Sequence, residues 1–173
     1  MLAALLLAMA VLGLASPAQA DVQMSFYSIT GSLTGGRYPH AFVVFDGTLA
    51  DGTRVNTNYG FSARYTSQAI TYGPAEQMIQ TETPRMVARS NRHFTVTVSD
   101  RQYRRLLAEV IAWRDYPGPY YDLDERNCIH FVARLATLVG LHADVPYRFI
   151  QEPKEWLNYV GRNNPQVHAT EIP

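Results

Sequence analysis

The residue best suited to covalent chemistry is Cys128, the only cysteine in the 173-residue chain. Asn127 precedes it, and an apolar pattern with helical spacing follows as far as Leu141. If Asn127 caps this helix, Cys128 lies in the first turn, where unpaired backbone N–H groups and the positive end of the helix dipole favour a thiolate. The pattern therefore predicts a nucleophile at a helix start. The alternative interpretation is a small apolar residue on a buried helix face.

Residues 1–20 have the composition of an export signal. An apolar run from Leu2 to Leu14 is followed by Ala18-Gln19-Ala20, which fits the small-x-small cleavage pattern. The run is short for a transmembrane span, although no Lys or Arg precedes it, which is unusual for a signal peptide. We expect a signal peptide at 1–20 and a mature chain from Asp21. That chain would be periplasmic or secreted, without stable membrane insertion after cleavage.

Length and charge limit the classes of protein that fit. Residues 21–173 are enough for one domain with a substantial core, and we expect a single domain there. Lys plus Arg number 15 and Asp plus Glu number 15, so the formal net charge is zero, which argues against a nucleic-acid partner. One cysteine excludes an internal disulfide and a Cys-rich zinc site, and we expect no cofactor. A free thiol in an oxidising compartment is prone to oxidation unless it is buried or has a chemical function. Export therefore strengthens the nucleophile hypothesis.

A cysteine nucleophile needs a base, normally histidine. His130 follows Cys128 by two residues on the same helix, about 200° around the axis, so it should point away. His142 and His168 lie in polar segments where solvated histidines are expected. His93 falls on the Thr side of an alternating strand pattern at 93–98, which predicts a surface position.

His40 is the favoured base because of where it stands in the pattern. It follows a loop containing Gly35-Gly36-Arg37-Tyr38-Pro39 and begins an apolar strand that runs to Phe45. A histidine at the first residue of a strand is held rigidly by the sheet and is still accessible to a substrate. The strand turns at Ala50-Asp51-Gly52-Thr53 and returns through Arg54 to Ala63, which predicts a hairpin.

The register of this hairpin decides which side chains share a face with His40. A three-residue loop with Gly52 in the left-handed conformation pairs Leu49 with Thr53 and places Ser62 opposite His40. Asn58 then lies on the same face, two pairs further along. A two-residue turn would present Tyr59 and Ala63 instead. We favour the first register, so Ser62 or Asn58 is the expected orienting partner of the imidazole, unless both are ordinary polar strand residues.

The remaining segments read as scaffold. We expect a strand from Met24 to Ile29, a short helix after Pro74 and a helix around Lys154 to Tyr159. Ser99 should cap an amphipathic helix whose inward side chains are Tyr103, Leu106, Leu107, Val110 and Ile111. Three tyrosines before the cysteine, Tyr116, Tyr120 and Tyr121, could line a groove or pack the loop. Strands and helices of this order predict an α+β fold.

Asn-Cys-x-His-Phe-Val at 127–132 and Pro-His-Ala-Phe-Val-Val at 39–44 together resemble a known family. The chain is similar to the circularly permuted branch of papain-like, NlpC-type cysteine hydrolases, which includes lecithin retinol acyltransferase-like proteins. In that branch the histidine hairpin precedes the cysteine helix. The resemblance implies a permuted papain-like fold, with an antiparallel sheet packed against helices that include the Cys128 helix. It also implies Cys128 as nucleophile and His40 as base.

The third catalytic position departs from the family pattern. Many relatives have a second polar residue about a dozen positions after the first histidine, and here that position is Gly52. Ser62 or Asn58 could take the role, or Cys128 and His40 could work as a dyad.

The resemblance implies attack on an amide or ester carbonyl, an acyl-enzyme, and an oxyanion held partly by the Cys128 N–H. Export of an enzyme of this kind, in a chain that looks bacterial, suggests cell-wall peptide amides as substrate, and so a peptidoglycan endopeptidase or amidase. One alternative is a lipid or ester hydrolase or acyltransferase of the same superfamily. Another is a non-catalytic binding domain on this fold, with Cys128 vestigial.

Overall fold

A computed structural model describes residues 21–31 and 38–173. The expected signal peptide at 1–20 and most of the Gly-rich loop lie outside the described residues. The strands are β1 (Asp21–Ile29), β2 (His40–Thr48), β3 (Arg54–Ala63), β4 (Gln77–Gln80) and β5 (Asn91–Val98). The helices are α1 (Thr66–Tyr72), α2 (Pro84–Val87), α3 (Asp100–Arg114), α4 (Cys128–Leu138) and α5 (Pro153–Asn163), with short 3₁₀ turns at Tyr147–Phe149 and Pro165–Val167.

The five strands form one antiparallel sheet in the order β4-β3-β2-β1-β5. The first strand of the described chain is therefore internal, paired with β2 on one side and β5 on the other. Helices pack against the sheet, so the α+β class is confirmed. Within residues 21–31 and 38–173, no helix has both the length and the apolar character needed to cross a membrane.

The β2–β3 hairpin has the predicted register. Gly52 takes a left-handed φ of 85° and donates its N–H to the Leu49 carbonyl at 2.9 Å. The Leu49 N–H donates to the Thr53 carbonyl at 2.9 Å, and the ladder continues to the Phe42 and Gly60 pair. This is the three-residue loop expected from the glycine position. Continued by two residues, the same register places Ser62 opposite His40.

The two faces of the sheet have different environments. One face carries the core, with Met24, Val43 and Phe45 fully buried, and α4 packs there, since the rings of Phe61 and Phe131 are 6.0 Å apart. The opposite face is largely polar and carries side-chain pairs such as Ser25 with Thr95. It nevertheless carries a row of rings, in which the half-buried Tyr27 stacks on Phe42 and Phe42 on His40, both of which are buried.

Helix α3 begins at a capping box formed by Ser99 and Gln102, as the sequence predicted for Ser99. Its buried side chains are Tyr103, Leu106, Val110 and Trp113. Ile111 was predicted to face inward, and this is wrong, because it is 48 % exposed. It lies one residue past Val110, about 100° around the helix, and Trp113 fills the core instead.

The segment between β3 and β5 was predicted wrongly. Helix α1 ends before Pro74 rather than starting after it, and the residues that follow enter the sheet as β4. Ile79 of β4 pairs with Phe61 of β3, and Ala75 forms an isolated bridge with Tyr121. These partners are distant in sequence, so the pairing prevails over the local pattern.

Candidate functional site

Asn127 caps α4, as predicted. Its side-chain oxygen accepts the N–H groups of Ile129 at 2.8 Å and His130 at 3.3 Å, and the His130 ring accepts the Asn127 N–H. The Asn127 amide also donates to the carbonyls of Leu123 and Ile150, each at 2.6 Å. One buried asparagine therefore ties the helix start to two loops. The Cys128 N–H stays outside this cap.

Cys128 lies on the wall of a cavity of about 510 Å³. The cavity is formed by the start of α4, the segment before β2 and the loops around 121–127 and 150–153. Apolar side chains such as Tyr121, Leu123 and Ile150 line much of it, and Glu152 is the one charged residue among the described residues of its wall. The cysteine itself is only 6 % exposed, so a reactant could approach it only through this cavity.

Burial raises the pKa of the Cys128 thiol to about 11, although the nearby backbone N–H groups of Ala41, Ile129 and Cys128 act in the opposite direction. From the sequence we predicted a thiolate, because Cys128 lies at the start of a helix. In the folded protein desolvation is the larger effect, and the thiol is neutral at ordinary pH.

The thiol lies where the β2–β3 ladder ends. In an antiparallel pair, alternate residues of a strand point their N–H groups at the same neighbour. Since Leu49 donates to β3, Ala41 also points its N–H towards β3, where Phe61 would be its partner. The ladder stops one pair earlier, and Ala41 presents its N–H to the Cys128 thiol. We call this end of the ladder, between Ala41 and Phe61, the seam.

His40 lies at the same end of the ladder. Its ring stacks on Phe42, with centroids 6.2 Å apart and planes 11° apart, and lies against the backbone of Gly60. Its Nε2 is buried and has no hydrogen-bond partner among the residues that the structure describes. Burial lowers the pKa of the imidazole to about 4, so it is neutral.

The structure thus brings the predicted nucleophile and base to one seam but from different sides. Strand alternation places the His40 ring on the Phe42 face, whereas α4 packs on the Phe61 face. Because Nε2 has no partner, it accepts no hydrogen bond from the thiol in this state.

The predicted orienting residues are close in register but do not bond to the imidazole. Asn58 donates to the Glu82 carbonyl at 3.0 Å and accepts the Glu82 N–H at 2.6 Å, so its amide anchors a neighbouring segment. The Ser62 hydroxyl makes a long 3.5 Å contact with the Ala63 carbonyl. The catalytic roles of Ser62 and Asn58 stay predictions.

His93 was predicted to lie on the surface, and this is wrong, because it is 2 % exposed. Phe26 pairs with Phe94 and Tyr27 with Arg92, so His93 is the extra residue of a β-bulge, which turns it to the core side. Its Nε2 lies 2.8 Å from the Ser28 hydroxyl and its Nδ1 lies 3.0 Å from the Asn158 side-chain oxygen.

The tautomer of His93 follows from these contacts. The Asn158 oxygen also accepts the Ile172 N–H, so it is an acceptor and Nδ1 donates to it. Nε2 then accepts the Ser28 proton. Ser28 is fully buried and neither it nor His93 lines the Cys128 cavity, so we interpret this network as structural. His142 and His168 are exposed, as predicted.

Arg126 is a residue whose role the sequence did not indicate. Its guanidinium centre lies 3.7 Å from the Trp113 ring centroid and 4.3 Å from that of Tyr120, with Tyr116 and Phe61 also within cation–π range. This aromatic cage fixes the residue that precedes Asn127. Of the three tyrosines that could line a groove, only Tyr121 lines the Cys128 cavity.

A larger, open concavity of about 650 Å³ lies beside β4. It has no cysteine, serine or histidine among its described lining residues, and two of its carboxylates pair with arginines, Glu76 with Arg64 and Asp115 with Arg114, each at 2.7 Å. In the described part of the chain, no group of three or more His, Cys, Asp or Glu side chains is arranged to hold a metal ion.

Comparisons of the chain with protein-family models, curated proteins and solved structures found no match.

Proposed function

We propose that this chain is a thiol hydrolase that cleaves amide bonds through an acyl-enzyme, with Cys128 as nucleophile and His40 as base. The observation that carries the proposal is that a buried thiol and a buried imidazole lie at the same end of the β2–β3 ladder, on opposite faces of the sheet. A thiol faces a cavity of about 510 Å³, and an imidazole with an unpartnered Nε2 lies at the same end of the ladder.

The neutral state of both groups defines the first step. The Cys128 sulfur attacks the carbonyl carbon while its proton passes to Nε2 of His40, so that no buried ion pair exists before substrate arrives. This step requires Nε2 to reach the thiol through the seam. The Cys128 N–H, which Asn127 leaves uncapped, donates to the oxyanion.

The remaining steps return the enzyme to its starting state. The His40 imidazolium gives its proton to the leaving amine, the C–N bond breaks, and a thioester to Cys128 remains. Water then attacks the thioester, its proton passes to His40, and the acid is released with the free thiol restored. An exported enzyme with this chemistry fits peptide amides of the cell wall, as an endopeptidase or amidase.

The test is turnover by the full chain of peptidoglycan fragments and of activated esters, with mass spectrometry to detect an acyl adduct on Cys128. We expect Cys128→Ala to abolish hydrolysis and His40→Ala to slow it by about 10²-fold or more. His130→Ala is the matched control, since this ring only supports the Asn127 cap. Equal losses from His40→Ala and His130→Ala would contradict the assignment of the base.

Two other functions have a specific observation behind them. The largely apolar cavity wall favours an ester or lipid acyl group, as substrate of a hydrolase or acyltransferase. The raised thiol pKa and 6 % exposure favour a non-catalytic binding domain. An acyl adduct formed only from long-chain esters would select the first, and binding without any adduct would select the second.

A further inference from the structure

Gly60 occupies an unexpected position in the interior of β3. A glycine inside a strand weakens it, since it brings no side chain to pack and costs conformational entropy. Gly60 does not need the freedom of glycine for its own backbone, because its φ is not positive, unlike that of Gly52. The reason for a glycine here must lie in the space beside it.

That space is taken by the His40 ring. A Cβ built on Gly60 would overlap Nε2 and would lie 3.0 Å from Cε1 of the same ring. The imidazole therefore lies directly on the β3 backbone. Phe42 stacks nearly parallel to the imidazole, and Tyr27 stacks on Phe42 at 5.3 Å. The ring therefore contacts both a row of aromatic residues and a strand that has no side chain at that point.

We propose that Gly60 is a positioning residue for His40: the missing side chain lets the imidazole lie on the β3 backbone at the end of the β2–β3 ladder. This inference rests on the proposed function for its catalytic consequence. The structural part of the proposal, that Gly60 determines where the His40 ring lies, holds whether or not the protein is an enzyme.

An added methyl group should displace the ring rather than the strand. The atom it meets first is at the far end of a side chain that rotates about two bonds, and β3 is held by its ladder to β2 and by the Asn58 bonds to Glu82. The ring cannot stay in place, because a carbon and a ring nitrogen would overlap. Gly60→Ala should therefore preserve the fold and move the imidazole away from the seam.

The experiment follows the His40 ring by NMR and Cys128-dependent hydrolysis of an activated ester in the full chain. We expect Gly60→Ala to shift the His40 ring resonances and to reduce hydrolysis at least about tenfold, towards the rate of His40→Ala. Gly52→Ala is the control, since its positive φ strains any side chain while nothing lies within 4 Å of the added Cβ. It should lower stability without moving the His40 resonances.

A double-mutant cycle tests the same contact through stability. If the added methyl clashes with the imidazole, Gly60→Ala costs stability in the native background, and removing the ring by His40→Ala abolishes that cost. Unchanged His40 resonances in Gly60→Ala, or an equal stability cost with and without the ring, would overturn the inference. Shifted resonances with no Cys128-dependent hydrolysis even in the native chain would support the role of Gly60 while rejecting the proposed function.

Discussion

The Cys128 thiol is under two opposing influences. The helix start and three nearby N–H groups stabilise a thiolate, whereas burial against Tyr121 and the cavity wall favours the neutral form. Burial dominates, and it also keeps His40 neutral. The two groups are therefore a neutral thiol and a neutral imidazole, and the proposed mechanism would create charge only during attack on a carbonyl.

This electrostatic balance predicts how the thiol reacts with iodoacetamide. We expect labelling of the native protein to be slow at pH 7 and to rise about tenfold per pH unit until the pH approaches about 11. In urea the rate should level off near the ordinary cysteine pKa of about 8.5. Mass spectrometry of quenched samples gives both profiles. A plateau below pH 8 in the native protein would show instead that the helix start prevails over burial.

At the scale of elements, Asn127 joins α4 to the loops on both sides of the cavity. Its oxygen caps two N–H groups of the helix, while its amide binds the carbonyls of Leu123 and Ile150. Ser99 caps α3 with the same type of capping box but without the two loop contacts. The two caps therefore form a natural comparison.

We expect Ser99→Ala to lower the free energy of unfolding by about 1 kcal/mol, the usual value of a helix cap. Asn127→Ala should cost about 2–4 kcal/mol, because it also leaves two carbonyls without their donor. It should increase the labelling rate of Cys128 at pH 7, since the loops around the cavity loosen. Urea denaturation and labelling measure the two effects. Equal costs for both variants would show that the loop contacts contribute nothing.

The sequence predicted the elements whose signals are local. Gly52 in a turn set the hairpin register, and Asn127 before an apolar helical pattern set the start of α4. Both depend on residues within a few positions of each other. That is why Cys128 and His40 could be placed at the starts of the correct helix and strand.

The errors came from partners that are distant in sequence. Residues 77–80 became a strand because β3 offers them a free edge, and no local pattern shows this. His93 moved to the core side because a bulge inserts one residue against β1, and a shift of one residue changes the face. The cage around Arg126 likewise combines residues from three segments.

At the scale of the whole molecule, two buried neutral histidines make the fold sensitive to acid. Burial lowers the pKa of both His40 and His93 from 6.5 to about 4. Below pH 6.5 the unfolded chain takes up protons that the folded protein does not, so stability falls as the pH decreases and the loss is complete near pH 4. At about 1.4 kcal/mol per unit of pKa shift, each histidine accounts for on the order of 3 kcal/mol.

We therefore expect the free energy of unfolding to change little between about pH 7 and 8 and to decrease steeply as the pH falls from 6.5 to 4. Above about pH 8.5, the ordinary cysteine pKa, it should fall again, because the unfolded chain loses a Cys128 proton that the folded protein keeps. His93→Gln should flatten the decrease on the acid side by about half, because one of the two titrating groups is gone, although its stability at pH 7 will be lower. Urea denaturation at a series of pH values measures this. The account fails if His93→Gln retains the full acid-dependent loss.

The cage around Arg126 also gives the protein an optical property. The chain has two tryptophans, and only Trp113 carries a guanidinium 3.7 Å above its ring, while Trp156 is fully buried in α5. A positive charge held over an indole changes the energy of its excited state, so the emission of Trp113 depends on where Arg126 lies. Arg126 is two residues before Cys128, and Trp113 fluorescence is thus an intrinsic reporter of the loop that leads into α4.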